Sequence, residues 1–88
     1  MRTFVVERYV PHPTVSDLLT EGKRVTTAVR ESEGFEATEI VYLRSIYVPD
    51  DEVSFCLFRG PSAEAIVEGF NRAQITFERV LEAEVLEP

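Results

Sequence analysis

The sequence predicts an α+β fold, in which four antiparallel strands form one sheet and two helices cover one of its faces. Three observations support this fold class. The 88 residues provide enough chain for one domain, spanning residues 1–88. Four segments are rich in β-branched and aromatic residues, and two have apolar residues at helical spacing. Their order is strand, helix, strand, strand, helix, strand, which is typical of the ferredoxin-like fold.

The chain is expected to begin with a strand and a long helix. Frequent Val, Phe and Tyr residues predict a strand over residues 2–10, which ends before two closely spaced prolines. Apolar residues then follow helical spacing from Thr14 to about Ser32, with Thr14 and Asp17 placed as in a capping box. Gly34 is expected to end this helix.

The remaining elements are expected to be a hairpin, a second helix and a last strand. β-Branched and aromatic residues predict strands over residues 39–48 and 53–58, and the short Pro-Asp-Asp segment between them favours an antiparallel hairpin. Ser62 is a suitable N-cap for a helix that ends near Gln74. Alternation over residues 77–86 predicts a half-solvated fourth strand.

The ferredoxin-like arrangement predicts the spatial order fourth, first, third and second strand. Gly22 should cost the first helix about 1 kcal/mol relative to Ala. Eight apolar residues at helical spacing are expected to pack the helices onto the sheet: Val15, Leu18, Leu19, Val25, Val29, Ile66, Val67 and Phe70.

The second face of the sheet is expected to be apolar as well. Two helices can cover only one face, yet residues 55–58 and 40–43 are apolar at both alternating positions. Leaving such a face in water would expose a larger apolar patch than soluble monomers usually carry. We therefore predict a homodimer formed through the open sheet face, with a bound apolar ligand as the less favoured alternative.

Charge and cysteine content limit the classes of partner. Nine Lys and Arg against sixteen Asp and Glu give a net charge of −7, which argues against binding to nucleic acid or to an anionic membrane surface. The single cysteine forms no internal disulfide, and no basic region followed by an apolar run marks the N-terminus for export. A cytoplasmic location is the expectation.

Adjacent charges in the first strand provide the strongest candidate site. Glu7 and Arg8 must point to opposite faces of the sheet. If the bulky Phe4 and Val6 face the helices, then Val5, Glu7 and Tyr9 line the open face. Their neighbours on the fourth strand would be Glu82 and Glu84. The candidate ligand-binding residues are Glu7, Tyr9, Tyr42, Arg44 and Glu82.

Glu7 is expected to be partly buried and to have a charged partner, because an unpartnered carboxylate in a central strand is costly to desolvate. The partner is expected to be Arg44 or Arg8 of a neighbouring subunit, or a cation shared with Glu82. Arg44 reaches the open face only in one of two strand registers. A purely structural ion pair is the competing interpretation, and it is slightly favoured.

Two further residues are weak candidates for a metal site. His12 could bind a metal or act as a base, but no second His or Cys lies at ligand spacing, so a solvated loop residue is favoured. Cys56 lies within an apolar strand, where a free cysteine commonly packs as a small hydrophobe. The charged residues 50–52 are interpreted as solvated turn residues.

Six segments together resemble a family of small bacterial proteins of unknown function, some of which are described as nickel-binding. They occur in the same order over nearly the whole chain: Val6–Tyr9, Tyr42–Ser45, Val48–Glu52, Phe55–Phe58, Pro61–Ala65 and Phe77–Val80. The resemblance implies a ferredoxin-like fold, commonly a homodimer, and a divalent metal such as nickel as the ligand. It supplies no set of metal ligands that maps onto this sequence.

Two classes of function follow. The first is a homodimeric module that binds a small molecule or a metal, with nickel suggested by the resemblance. The alternative is an enzyme of the dimeric α+β barrel type, a cofactor-free oxygenase or isomerase acting on a small organic substrate. Its acid, base or anion-stabilising groups would be polar residues such as Glu7, Tyr9, Tyr42, Arg44 or His12. A cavity of about 300 Å³ or more between sheet and helices, or between subunits, would favour the enzyme.

Overall fold

The computed structural model describes residues 2–30 and 40–88, whose elements follow the predicted order. The strands and helices are β1 (Arg2–Tyr9), α1 (Val15–Arg30), β2 (Val41–Val48), β3 (Val53–Gly60), α2 (Ala63–Arg72) and β4 (Arg79–Ala83). The predicted helix end at Ser32 and Gly34, the strand start at Glu39 and the side chain of Val29 lie outside the described residues.

The four strands form one antiparallel sheet in the order β2-β3-β1-β4, which confirms the predicted ferredoxin-like topology. β1 pairs with β3 along its whole length, from Arg2 opposite Gly60 to Tyr9 opposite Val53. The two central strands are therefore β1 and β3. The hairpin between β2 and β3 is also confirmed, and its pairing contains a β-bulge between Tyr42 and Arg44.

Alternation along the central strands decides which side chains face the helices. Phe4 and Val6 of β1 are fully buried, as are Ser54 and Phe58 of β3, so these positions define the covered face. Both helices add side chains to the same core, which places them on one side of the sheet. Four aromatic rings cross this core at centroid spacings of 5.3, 5.4 and 5.4 Å: Tyr42, Phe58, Phe70 and Phe77.

Both helices begin with the caps that the sequence predicts. The backbone N–H of Asp17 donates to Thr14 Oγ1 at 3.0 Å, and the N–H of Thr14 donates to Asp17 Oδ2 at 3.3 Å, which is a reciprocal capping box. At α2 the N–H of Ala65 donates to Ser62 Oγ at 3.2 Å. None of the helices in the described ranges is long and apolar enough to cross a membrane.

The core prediction is confirmed for four helical residues and wrong for two. Leu18, Val25, Ile66 and Phe70 are buried, and Val67 is partly buried. Val15 and Leu19 are instead 75% and 44% exposed. Over residues 15–28 of α1, the buried positions are Leu18, Gly22, Val25 and Thr26, a stripe that leaves Val15 and Leu19 outside it.

Candidate functional site

The face of the sheet opposite the helices carries the apolar surface that the sequence predicts. Val5 of β1 lies between Leu57 of β3 and Leu81 of β4, and Phe55 lies opposite Ile46 of β2. Ile46 and Leu81 are exposed, and the central three are partly buried. This surface, hereafter the open face, is continuous across all four strands.

Glu7 lies at the middle of the open face and is paired within its own chain. Its Oε2 accepts a hydrogen bond from the guanidinium of Arg79, directly opposite on β4, at 3.3 Å. The Glu7 side chain is 27% exposed, which agrees with the partial burial expected for it. The partner, however, is Arg79, and sequence reasoning did not find it.

Arg8 points to the other side of the sheet, as adjacent strand residues must. Its guanidinium lies under α1 and donates to both carboxylate oxygens of Glu21, while its Nε donates to the carbonyl of Thr76 at 3.0 Å. The expected pairing of Glu7 with Arg8 of a neighbouring subunit is wrong for this geometry, because Arg8 is buried and already paired.

The expected position of Glu82 beside Glu7 is also wrong. Glu82 lies opposite Phe4, on the covered side of the sheet, and pairs with Arg2 at 3.0 Å. The register follows from Val80, whose side chain packs against the core and fixes which β4 residues face the helices. The hydrogen bond and the charge of Arg2 lower the pKa of the Glu82 carboxyl.

The remaining ligand candidates are divided between the two faces. Tyr9 and Arg44 lie on the open face, opposite Val53 and Leu57 respectively. Tyr42 lies on the covered face, where its ring packs on Phe58 and its hydroxyl is hydrogen-bonded to Ser45. Burial raises the pKa of the Tyr42 hydroxyl.

Glu7 and Arg44 share the open face but do not meet within one chain. β3 lies between their strands, and neighbouring strands lie about 4.8 Å apart, so their backbones are roughly 10 Å apart. Of the five candidates, three therefore share a face, and no ion pair within the described part of the chain joins any two of them.

A second group of polar residues lies at the end of β1, where the following loop meets the turn of the β2–β3 hairpin. The Nε2 atom of His12 is 3.6 Å from Oε2 of Glu52, and the hydroxyl of Tyr9 donates to Oε1 of the same carboxylate at 3.3 Å. Glu52 Oε2 is buried and has no hydrogen-bond partner among the described residues. Glu52 is thus not simply a solvated turn charge.

The backbone at this group is unusual. His12 has φ 48° and Glu52 has φ 53°, in the left-handed region that residues other than glycine seldom occupy. The N–H of Val10 donates to the carbonyl of Glu52 at 2.8 Å, which ties the loop to the hairpin turn. Such conformations persist only where surrounding contacts hold them, and they are frequent at functional sites.

Cys56 is buried on the covered face of β3, and its thiol has Ser54 Oγ as a polar neighbour at 3.6 Å. This placement agrees with a core residue. Within residues 2–30 and 40–88, no group of three or more His, Cys, Asp or Glu side chains is arranged to hold a metal ion. A site in one chain would therefore have at most two such ligands from this part of the molecule.

A cleft of about 370 Å³ lies between α1 and the edge strand β2. Its lining residues are Lys23, Thr26, Thr27, Val41 and Tyr42. This volume exceeds the cavity volume of about 300 Å³ that would favour the enzyme alternative. The lining, however, contains no carboxylate or imidazole that could form an acid–base pair with Tyr42. Apart from its volume, the cleft thus supplies no observation that favours catalysis.

The fold and these surfaces define a small ferredoxin-like module with one apolar open face and a histidine–carboxylate group at one end of the sheet. Residues 4–83 match the profile of the family described as nickel responsive protein SCO4226-like, and the chain belongs to this family. The resemblance noted in the sequence is thereby confirmed.

A solved structure supports the same fold. The crystal structure of SCO4226 from Streptomyces coelicolor A3(2) is 24% identical in sequence and superposes with a TM-score of 0.69, covering 97% of this chain and 99% of that chain. No curated protein matches the chain.

Proposed function

We propose that this chain is a homodimeric metal-binding module that binds a divalent ion, preferentially nickel, between His12 and Glu52. The observation that carries the proposal is the buried Oε2 atom of Glu52, which lacks a hydrogen-bond partner among the described residues and lies 3.6 Å from the imidazole. The description of the family as nickel responsive supports the choice of metal.

The chemistry of the two donors suits this metal. Imidazole nitrogen is a good ligand for nickel, and carboxylate oxygen is accepted by most divalent ions. Such atoms lie about 2.0–2.2 Å from a first-row divalent ion such as zinc, so a 3.6 Å separation can accommodate an ion between them. The hydrogen bond from Tyr9 orients the carboxylate, as partners outside the ligand set commonly do.

The imidazole of the site is accessible, and the site is incomplete in one chain. The His12 side chain is 94% exposed, so an ion can reach it from solvent. With two ligands from one copy, water or a second copy would supply the rest. Cys56 is unsuited as a further metal ligand because its thiol is enclosed in the core, on the face of the sheet that the helices cover.

Nickel titration of protein prepared without a histidine tag tests the site. We expect His12→Ala and Glu52→Gln each to weaken binding at least about tenfold, since even changes to the partners of metal ligands commonly cost that much. Asp51→Asn is the matched control, because it removes one charge from the same turn without touching His12, and it should bind nickel like the wild type. Unchanged binding in both ligand variants would refute the site.

The dimer is proposed on separate grounds. The open face leaves Tyr9, Val41, Ile46 and Leu81 exposed around a partly buried apolar centre. A patch of this kind is rare on soluble monomers, and face-to-face pairing about a two-fold axis covers it with an identical surface. The Glu7–Arg79 pair neutralises the charge at the centre, so two copies of this acidic chain can approach there with little repulsion.

Light scattering of two matched variants tests the dimer. Leu81 and Leu19 are exposed to nearly the same extent, 43% and 44%, but only Leu81 lies on the open face. We expect Leu81→Glu to be monomeric at micromolar concentration and Leu19→Glu to remain dimeric. A monomeric wild type would contradict the proposal, as would a dimeric Leu81→Glu variant.

The cytoplasmic location expected from the sequence stays a prediction.

A further inference from the structure

We propose that the open face also contains a binding site for a small organic carboxylate with an apolar body, held by Arg44 and Arg59. The site lies toward the Gly60 end of β3, whereas His12 and Glu52 lie at its Val53 end. It therefore uses none of the proposed metal ligands and goes beyond the function proposed above, and in the proposed dimer it would lie between the two paired sheets.

A cavity at this end of the open face has the size of a ligand site. Its volume is about 470 Å³, within the roughly 300–1,000 Å³ typical of small-molecule pockets. Leu57 and Ile46 contribute apolar side chains from the sheet, and the segment after β4 contributes Val85. An apolar lining of this kind suits a hydrocarbon or aromatic body.

The β-bulge in β2 explains why Arg44 belongs to this cavity. Tyr42 pairs with Phe58 on the covered face, and in a regular strand Arg44 would lie on that face as well. The bulge lets Leu43 and Arg44 both line the cavity beside Leu57. Bulges that redirect a side chain in this way are frequent next to binding sites.

The two arginines differ from most others in the described part of the chain. Arg2, Arg8, Arg72 and Arg79 each pair with a carboxylate. Neither Arg44 nor Arg59 forms an ion pair within the described residues, although the chain has sixteen acidic residues.

Arg44 and Arg59 lie on neighbouring strands and line the same cavity. Arg44 is opposite Leu57, two residues before Arg59, so the arginines are diagonal neighbours about 7–8 Å apart. That spacing refers to the backbone positions; the two side chains carry like charges into one cavity, and a bound anion would offset their repulsion. Glu87 also lines the cavity but forms no ion pair with either arginine.

These features select the class of ligand. Guanidinium groups bind planar carboxylates through paired hydrogen bonds, and they repel metal cations. The apolar lining favours an anion with a hydrophobic body over an inorganic one. A short-chain or aromatic monocarboxylate meets both requirements.

Calorimetric titration with hexanoate and with hexanamide tests the site in the wild-type protein. The two probes share an apolar chain, and only hexanoate carries a charge for the arginines. We expect hexanoate to bind at least about tenfold more tightly than hexanamide, because charge-assisted hydrogen bonds are the stronger kind. Equal affinities, or no binding of hexanoate up to about 10 mM, would overturn the proposal.

Variants assign the binding to these residues. The double variant Arg44→Gln, Arg59→Gln should lose the preference for hexanoate, while Arg72→Gln, which removes an exposed arginine on α2, should keep it. Arg59→Lys should retain part of the affinity, since it keeps the charge but not the paired geometry. If Arg72→Gln lost the preference for hexanoate to the same extent, the assignment of the site to Arg44 and Arg59 would be refuted.

Measuring nickel stoichiometry and oligomeric state on the same samples separates this proposal from the metal site and the dimer. The double variant should bind nickel normally, because both arginines lie away from His12 and Glu52. If the double variant lost hexanoate binding, nickel binding and its folded structure all together, the cause would be a general structural defect. That result would contradict a specific carboxylate site.

Discussion

Arg8 and Glu21 join β1 to α1 through two hydrogen bonds of 3.2 Å between one guanidinium and one carboxylate. Arg8 is nearly enclosed, and its third bond goes to the carbonyl of Thr76. Glu7, the preceding residue, pairs with Arg79 on the opposite face. A one-residue slip of β1 would exchange these environments, so the two ion pairs help to specify the register of the central strand.

Glu21→Ala is expected to destabilise the protein because it leaves the Arg8 charge buried without its partner. Breaking a fully buried ion pair costs about 3–5 kcal/mol, and we expect about 2–3 kcal/mol here since the Glu21 side chain is 25% exposed. Urea denaturation gives the free energy of unfolding for comparison with the wild type.

Glu68→Ala is the control for this prediction. Glu68 also pairs with an arginine, Arg72, but both side chains are about half exposed on the surface of α2. Its removal should cost no more than about 0.5 kcal/mol. A similar loss in the two variants would contradict the role assigned to burial of the Arg8–Glu21 pair.

Glu82→Gln should reveal a pH-dependent contribution of the Arg2–Glu82 pair. Arg2 lowers the pKa of Glu82 in the folded protein, so the pair stabilises the fold above the usual carboxyl value of 4.5. This stabilisation is lost as the pH falls through the lowered pKa. The wild type should be the more stable at pH 7, and the two proteins should converge in strongly acidic solution.

Thermal unfolding from pH 2 to pH 7 measures this convergence. Glu84→Gln is a suitable control, because Glu84 follows β4 and forms no ion pair in the described part of the chain. The unfolding temperature of Glu84→Gln should differ from that of the wild type by a constant amount from pH 2 to pH 7. A constant difference between Glu82→Gln and the wild type would show that the pair has no protonation-linked effect.

The topology was predictable because its signals are local. The capping box at Thr14 and Asp17 and the N-cap at Ser62 are read directly from residue type and spacing, and the structure contains both. The bulk of Phe4 and Val6 indicates which face of β1 the helices cover, and both residues are fully buried there. Strand order then follows from the ferredoxin-like connection of these elements.

Much of the candidate site depends on register, which the sequence leaves open. Val80 and Leu81 are adjacent and both apolar, so either could face the core. The expected open-face position of Glu82 required Leu81 to face the core, whereas Val80 does. The bulge beside Arg44 has no glycine or proline to mark it. Glu52 and Arg59 gain their neighbours only through tertiary contacts, so periodicity gave no reason to select them.

Tyr42→Phe should alter the stability of the protein in alkaline solution. Burial raises the pKa of the Tyr42 hydroxyl, so tyrosine ionises first in the unfolded chain, near pH 10. The stability that neutral Tyr42 contributes to the folded protein is fully present below that pH, and it is lost as the pH rises above it. Tyr42→Phe removes this dependence.

The variant should be less stable than the wild type at pH 7, by about 1 kcal/mol, because the hydrogen bond to Ser45 is lost. The deficit should shrink above pH 10. Burial raises the pKa of Tyr47 as well, so Tyr47→Phe provides a second, independent case. Urea titrations at pH 7, 9 and 11 test both, and a deficit that stays constant would contradict the prediction.

Gly22→Ala should destabilise the protein even though alanine is the better helix former. A Cβ atom at Gly22 would lie 2.6 Å from two ring carbons of Tyr42, so the ring must move from its place against Phe58. Overpacking costs about 1–3 kcal/mol, which outweighs the gain of about 1 kcal/mol in helix propensity. In the Tyr42→Ala background the ring is absent, and Gly22→Ala should become neutral or stabilising by up to about 1 kcal/mol. Urea denaturation of the two single variants and the double variant measures this coupling, and additive effects would show that the Tyr42 ring does not restrict residue 22.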